Sequence, residues 1–177
     1  PTKALQRPLD VKSGLVEMDR DSDVCQIAVV ERHRGLGTVV NAFVSGFGYA
    51  VDCAVASTVA HDSHHIIVVG TNHKDMAQAA NTLSEIGGGV VVVSNGKELA
   101  RVELVIAGLM SDEPAEIVAA KAEKMVAAMK ACGCSLNNAF MQHSLLALVV
   151  IPELRISDMG LIDVRTFEKV DLFVKTP

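Results

Sequence analysis

The apolar positions of this chain come in short runs, and the residues between them carry turn chemistry. Asp10-Val11-Lys12 and Leu15-Val16-Glu17-Met18 flank Ser13-Gly14, a glycine-containing two-residue loop that predicts a hairpin. Over residues 24–31 apolar side chains alternate, with Cys25, Ile27 and Val29 on one face and Ala28 and Val30 on the other. Gly35 and Gly37 then turn the chain into a β-branched run at 38–44, which ends at Ser45-Gly46-Phe47-Gly48. Residues 54–60 and 66–69 predict two more strands. The period changes after Gly70. Asn72 is a good helix cap, and Met76, Ala79, Ala80, Leu83 and Ile86 follow at helical spacing up to Gly87-Gly88-Gly89. Residues 90–94 and 98–104 flank Asn95-Gly96, the strongest hairpin signal in the chain. A second helix is expected with Ser111 or Asp112 as its cap and Pro114 in its first turn. Val118, Ala122, Met125 and Met129 form its apolar stripe, and Gly133 stops it. Residues 145–151 predict a buried strand closed by Pro152. Residues 154–156, a turn at Asp158-Met159-Gly160 and a last apolar run to Val174 complete the pattern.

Many short, hairpin-linked strands and two real helices define an α+β fold. The expected architecture is a largely antiparallel or mixed β-sheet in layers, with main helices at about residues 72–86 and 112–132. Each helix lies between two strands, so the crossovers leave room for some parallel pairing. Residues 1–9 carry Pro1 and Pro8 among mixed polar residues and read as an entry linker, with a single domain over residues 10–174.

Composition narrows the function. The chain has 177 residues, half of them apolar, which suffices for one domain with a real core. With no Trp, one Tyr and five Phe, that core must be aliphatic. The formal net charge of −5 argues against a nucleic-acid binder, which carries a basic face. No apolar run nears the roughly 20 residues of a membrane span, and no charged-then-apolar start suggests a signal peptide. Cys25, Cys53, Cys132 and Cys134 are scattered and read as reduced thiols of a cytoplasmic protein. Cys132-Gly133-Cys134 is too tight for a zinc hook and has no answering pair.

The densest chemistry is His61-Asp62-Ser63-His64-His65, which holds three of the six histidines between two expected strands. Imidazole and carboxylate are ordinary metal ligands. They are also acids, bases and hydrogen-bonding groups of pockets. A polar turn that satisfies its own backbone is the third possibility. Adjacent side chains of an extended chain point to opposite faces, so all four ionisable groups converge on one ion only if the loop folds back sharply. Glu31-Arg32-His33-Arg34 reads as a solvated strand end, Ser111-Asp112 as a capping pair, His143 as a satisfied core histidine and His73 as an exposed first-turn residue. Gly87-Gly88-Gly89 precedes a strand and not a helix, which argues against phosphate cradling. The chain has no Cys-x-x-Cys, His-x-Glu, His-x-His, Gly-x-Ser-x-Gly or phosphate-loop motif.

Several longer segments carry a resemblance. They are Ile27-Ala28-Val29-Val30-Glu31-Arg32-His33, Phe43-Val44-Ser45-Gly46-Phe47-Gly48 and Ala56-Ser57-Thr58-Val59-Ala60-His61-Asp62-Ser63-His64. Ile106-Ala107-Gly108-Leu109-Met110-Ser111-Asp112-Glu113-Pro114, Leu145-Leu146-Ala147-Leu148 and Val150-Ile151-Pro152-Glu153-Leu154 continue in the same order. Over about residues 10–174 the chain resembles the C-terminal region of the adenine deaminase family, the bacterial and archaeal type within the amidohydrolase superfamily. The resemblance implies hydrolysis of adenine to hypoxanthine and ammonia. It implies a divalent metal, manganese or iron, held mainly by an N-terminal barrel whose ligands this chain lacks. The start at Pro1 without Met fits a piece of a longer chain. The isolated chain is then expected to be inactive and to bind no metal of its own. Its expected partners are adenine, the barrel of the same enzyme and further copies of itself. Within the block, His61, Asp62 and His64 are expected to support catalysis from the mouth of the barrel, Asp62 by orienting an imidazole, and Ser63 to meet substrate. The family commonly has Asn where this chain has His65. The alternative is a purine-binding, regulatory or oligomerisation domain without catalysis.

Overall fold

The computed structural model describes residues 2–174. A small hairpin, β1 (Val11–Lys12) and β2 (Leu15–Val16), opens the chain, with Ser13 and Gly14 at φ 52° and 80° in its turn. Six strands then form the main sheet: β3 (Val24–Val30), β4 (Val39–Ser45), β5 (Cys53–Ser57), β6 (Ile66–Gly70), β7 (Gly89–Ser94) and β8 (Lys97–Glu103). Their order in space is β4-β3-β6-β5-β7-β8. Between β6 and β7 lies the helix α1 (His73–Ile86), and after β8 come α2 (Ala115–Ala131) and the short α3 (Ala139–Ser144). A second, three-stranded sheet of β9 (Leu154–Ser157), β10 (Gly160–Asp163) and β11 (Glu168–Val170) ends the fold.

The alternation seen in the sequence sorts the core into two layers. Ala28, Ala54, Ala56, Val68, Val91 and Val93 point to one face and pack on Met76, Ala79 and Leu83 of α1. The opposite face, including Ile27, Val29, Val55, Val69 and Val92, packs on Met125, Ala128 and Met129 of α2, on Phe47 and Tyr49, and on Ile156 of the small sheet. β5 and β6 are buried at every position because both faces are covered.

All sheet pairings among the described residues are antiparallel. The parallel pairing that the crossovers left room for does not form. α1 does carry the chain from β6 to a strand running the same way, β7. However, β5 inserts between them and pairs antiparallel with both.

Three local expectations change. The strand expected at 145–151 is a 3-10 turn over Leu145–Ala147, following a helix where a loop was expected. Asn138, a residue type that commonly caps helices, takes the left-handed conformation at φ 54° and starts α3 without a side-chain cap bond. The strand expected over 54–60 stops at Ser57, because the β6 ladder ends at the Ser57–Ile67 pair. Finally, α2 starts at Ala115, with Pro114 as the residue before the first turn. Proline steers the residue preceding it away from helical backbone, so Ser111 and Asp112 cannot open the helix. Ser111 instead accepts the Glu113 N–H at 3.2 Å.

Residues 2–10 carry no helix or strand, yet they are tied to the end of the chain. The Thr2 amide donates to the Pro152 carbonyl at 3.0 Å and the Ala4 amide to the Glu153 carboxylate at 2.8 Å.

One carboxylate joins two elements. Asp75, 2% exposed, accepts from the Asn95 and Gly96 amides at 3.0 and 2.8 Å, so the first turn of α1 holds the β7–β8 hairpin. Asn72 caps the same turn by accepting the Asp75 N–H at 2.8 Å. Asp75→Ala takes the carboxylate from both hairpin amides, leaving Asn95 only its bond to the Asp52 carbonyl at 3.2 Å, and is expected to cost about 1–3 kcal/mol, read as a lowered denaturant midpoint. An unchanged midpoint would remove Asp75 from the account of the fold.

Candidate functional site

The polar block follows β5, the strand paired with β6 and β7 in the sheet interior. Thr58, 1% exposed, fixes the exit from this strand. Its hydroxyl accepts the Gly89 N–H at 2.8 Å and donates to the Gly108 carbonyl at 2.6 Å. The His61 amide donates to the Ser144 carbonyl of α3 at 3.3 Å, and the His64 amide to the Ala60 carbonyl at 2.8 Å, which closes the loop. His64 holds φ 54°, so the chain does fold back sharply there.

That reversal sorts the block. The His61 and His64 rings meet edge to face with centroids 5.5 Å apart. Both side chains are half-buried, while Asp62 and Ser63 stand exposed at the crown. His65 turns inward, 6% exposed. It lies 4.6 Å from the His33 ring between centroids, and its Nε2 faces the Asp158 carboxylate at 3.5 Å. The sequence thus names a pair that the fold brings together, His61 and His64, beside a neighbour, His65, that packs as structure. Asp62 makes no hydrogen bond to either ring, so the fold gives it no hold on an imidazole. His73, elsewhere in the fold, bonds Gln26 at 2.7 Å.

Residues 31–34 clamp this loop, where a solvated strand end was expected. Glu31 is 5% exposed and accepts three backbone N–H groups, from His33 and Arg34 at 2.7 Å each and from Leu36 at 2.9 Å. These amides, Leu36 foremost, then Arg34 and His33, hold its carboxyl well below the usual carboxylate range, at about 2. Arg32 Nε donates to the His64 carbonyl at 2.7 Å and its Nη2 to the Ala107 carbonyl at 2.9 Å. His33 Nε2 donates to the Ser63 carbonyl at 2.6 Å. One strand end therefore grips two consecutive carbonyls of the block, and a carboxylate sets the shape of that strand end. The charge run showed polarity in the sequence. Its target lies some thirty residues away and is not visible there.

Electrostatics leaves the gripped ring neutral. Burial lowers the affinity of His64 for a proton, and the nearby His61 lowers it further. Its Nδ1 is buried with no hydrogen-bond partner. A neutral imidazole with an unused nitrogen can accept a proton or a hydrogen bond at neutral pH. His65 is likewise lowered by burial, against the pull of Asp158. The resemblance implies a divalent metal, and the donor set here does not fit one. Among the described residues no three His, Cys, Asp or Glu side chains gather closely enough to hold an ion.

His143 departs from the satisfied core histidine expected. It is fully buried on α3, edge-on to Phe47, and among the described residues neither ring nitrogen makes a well-formed hydrogen bond. Burial pushes its pKa down from 6.5 to about 4. The folded state therefore resists a proton that the unfolded chain accepts. Its contribution is complete above pH 6.5 and is lost as pH falls through about 4. His143→Leu is expected to flatten the fall of stability over that window. Equal acid sensitivity of both proteins in urea titrations would contradict this role.

The pinned loop thus presents the His61 and His64 rings together, with Asp62 and Ser63 exposed beside them. The chain belongs to the adenine deaminase C-terminal domain family, whose description matches residues 1–168. It is 74% identical over 174 residues to an adenine deaminase of Mesorhizobium japonicum and 71% identical over 175 residues to adenine deaminase 3 of Rhizobium meliloti, covering 98% and 99% of this chain. An adenine deaminase of Clostridium botulinum is 48% identical over 167 residues, or 94% of the chain. The chain spans only 28–29% of the length of these relatives.

Proposed function

We propose that this chain is the C-terminal domain of a metal-dependent aminohydrolase of the amidohydrolase superfamily, which converts adenine and water to hypoxanthine and ammonia. The observation that carries this reading is the combination of near-complete coverage of this chain with under a third of each relative's length. Residues 10–174 act as one unit, with residues 1–9 leading into it. The divalent metal, manganese or iron, sits in the remainder of the longer protein and supplies the activated water there. The four buried, unpaired thiols fit a cytoplasmic enzyme, and no helix of the described residues is long and apolar enough to cross a membrane.

Within that enzyme His61 and His64 line the mouth of the purine site. Adenine presents ring nitrogens and an exocyclic amine at its edge. Departure of that amine as ammonia requires a proton, and a half-buried imidazole is suited to holding and passing one. The half-buried ring of His64, whose Nδ1 no group among the described residues engages, supports this role. Ser63 lies at the crown and offers a hydroxyl to substrate. Asp62 stands next to His61, and its charge favours the protonated form of His64 when one forms. The test is product analysis. The longer protein, loaded with manganese or iron, is expected to yield hypoxanthine and ammonia in equal amounts from adenine, and this chain alone to yield neither. Turnover by the isolated chain would sink the proposal.

A further inference from the structure

The histidine chemistry leaves one well-built surface unused. Val105, Ile106, Leu109 and Met110 are 42%, 45%, 37% and 58% exposed, and Leu36 in the adjoining 31–36 turn is 57% exposed. Four large apolar side chains within six residues, all meeting water, mark a surface that something covers. The segment is not loose. The Ile106 and Met110 amides and carbonyls bond each other at 2.9 and 3.1 Å. Thr58 holds the Gly108 carbonyl and Arg32 the Ala107 carbonyl. Packing around its glycines also leaves no room for side chains. A Cβ on Gly108 would lie 2.7 Å from Arg32 Nη2, and one on Gly88 would lie 2.4 Å from the Gly108 Cα. At the border Lys121 is ion-paired with both Glu103 and Glu113. A fixed apolar centre with a polar rim is the anatomy of an interface, and a surface already rigid loses little entropy when it is covered.

We infer that the exposed apolar crown at Val105–Met110, distinct from the tip of the histidine loop, is the surface on which the remainder of the longer polypeptide docks, placing His61 and His64 at the seam. The amount of chain outside the matched region favours this occupant over a second copy of the chain. Relatives carry more than two thirds of their length outside the matched region, so ample polypeptide is present to cover the crown. Arg32 also ties the Val105–Met110 segment and the His64 turn to one guanidinium, so the docked surface and the histidine pair adjoin. The inference rests on the proposed deaminase only for the placement of the histidines at the seam.

Methionine oxidation tests it without reference to activity. Dilute hydrogen peroxide converts accessible methionine to its sulfoxide, and peptide mass spectrometry gives the rate at each site. In the native longer protein Met110 is expected to react at least about tenfold slower than in the same protein unfolded in urea. A native rate within about twofold of the unfolded one, as its exposure in this domain alone would give, overturns the proposal. Protection lost on dilution to single subunits, followed by light scattering, also overturns it, because the occupant is then a second copy. Hypoxanthine formation is assayed on the same sample. A protein with protected Met110 that leaves adenine untouched refutes the deaminase and keeps the docking surface.

Discussion

His61→Ala in the longer protein is expected to lower kcat for adenine by about 10²- to 10⁴-fold, the usual worth of a positioned proton-transfer group. The melting temperature should move little. Among the described residues the His61 ring makes no hydrogen bond, and the His61 amide, which holds the loop to Ser144, is kept in the variant. The second member of the pair is best replaced as His64→Asn, since asparagine tolerates the left-handed backbone found there. Its loss should fall on kcat more than on KM if the ring handles a proton, and on KM alone if it only binds purine. A turn with no chemical role predicts the reverse of both: stability falls and turnover per folded molecule stays. Circular dichroism melts run beside the kinetics tell the two apart.

Arg32→Met is the second large effect. The substitution keeps most of the apolar stem and removes the guanidinium. Two carbonyls, of His64 and Ala107, lose their charged donor. Bonds of this kind contribute about 1.5–3 kcal/mol each when well shielded, and half-exposure reduces that, so about 2–3 kcal/mol in total is expected. Both loops loosen together, so turnover of the longer protein should fall even though Arg32 itself need not touch substrate. Arg32→Lys is expected to restore part of the stability and little of the turnover. A lysine carries the charge but cannot span both carbonyls. Full activity in Arg32→Met would show that the clamp does not position the histidines. Acid has a related effect. The low pKa of Glu31 means that its grip on the 33–36 amides is complete above about pH 4.5 and is lost as pH falls toward about 2.

The sequence was most readable where local pattern and tertiary burial agree. Alternation in residues 24–30 sorted Cys25, Ile27 and Val29 from Ala28 and Val30, and these side chains do enter the two separate core layers. Asn72, Gly87 and Asn95-Gly96 behave as their backbone preferences require. The misreadings share one cause, an apolar or polar run judged without its neighbours. Residues 145–151 are apolar enough for a strand, but no ladder is free to receive them, and α3 leads straight into a 3-10 turn. Residues 111–112 have capping chemistry, but Pro114 sets the start of α2 later. At the site, the His61–His65 block was visible as a concentration of titratable groups. Its division into a paired His61 and His64 and an inward His65 depends on the reversal at His64 and on Arg32. Both are products of contacts between distant segments. The Val105–Met110 crown was visible only as a stretch of resemblance, since exposure cannot be read from apolar residues alone.

The most direct measurement is a crystal structure of the longer protein with hypoxanthine bound. The account predicts a ring nitrogen of His61 or His64 within about 3.5 Å of the purine edge, or within about 6 Å of it with one water between them. A purine bound with both rings more than about 8 Å away, beyond the reach of a single bridging water, would contradict it and leave the block as a structural turn.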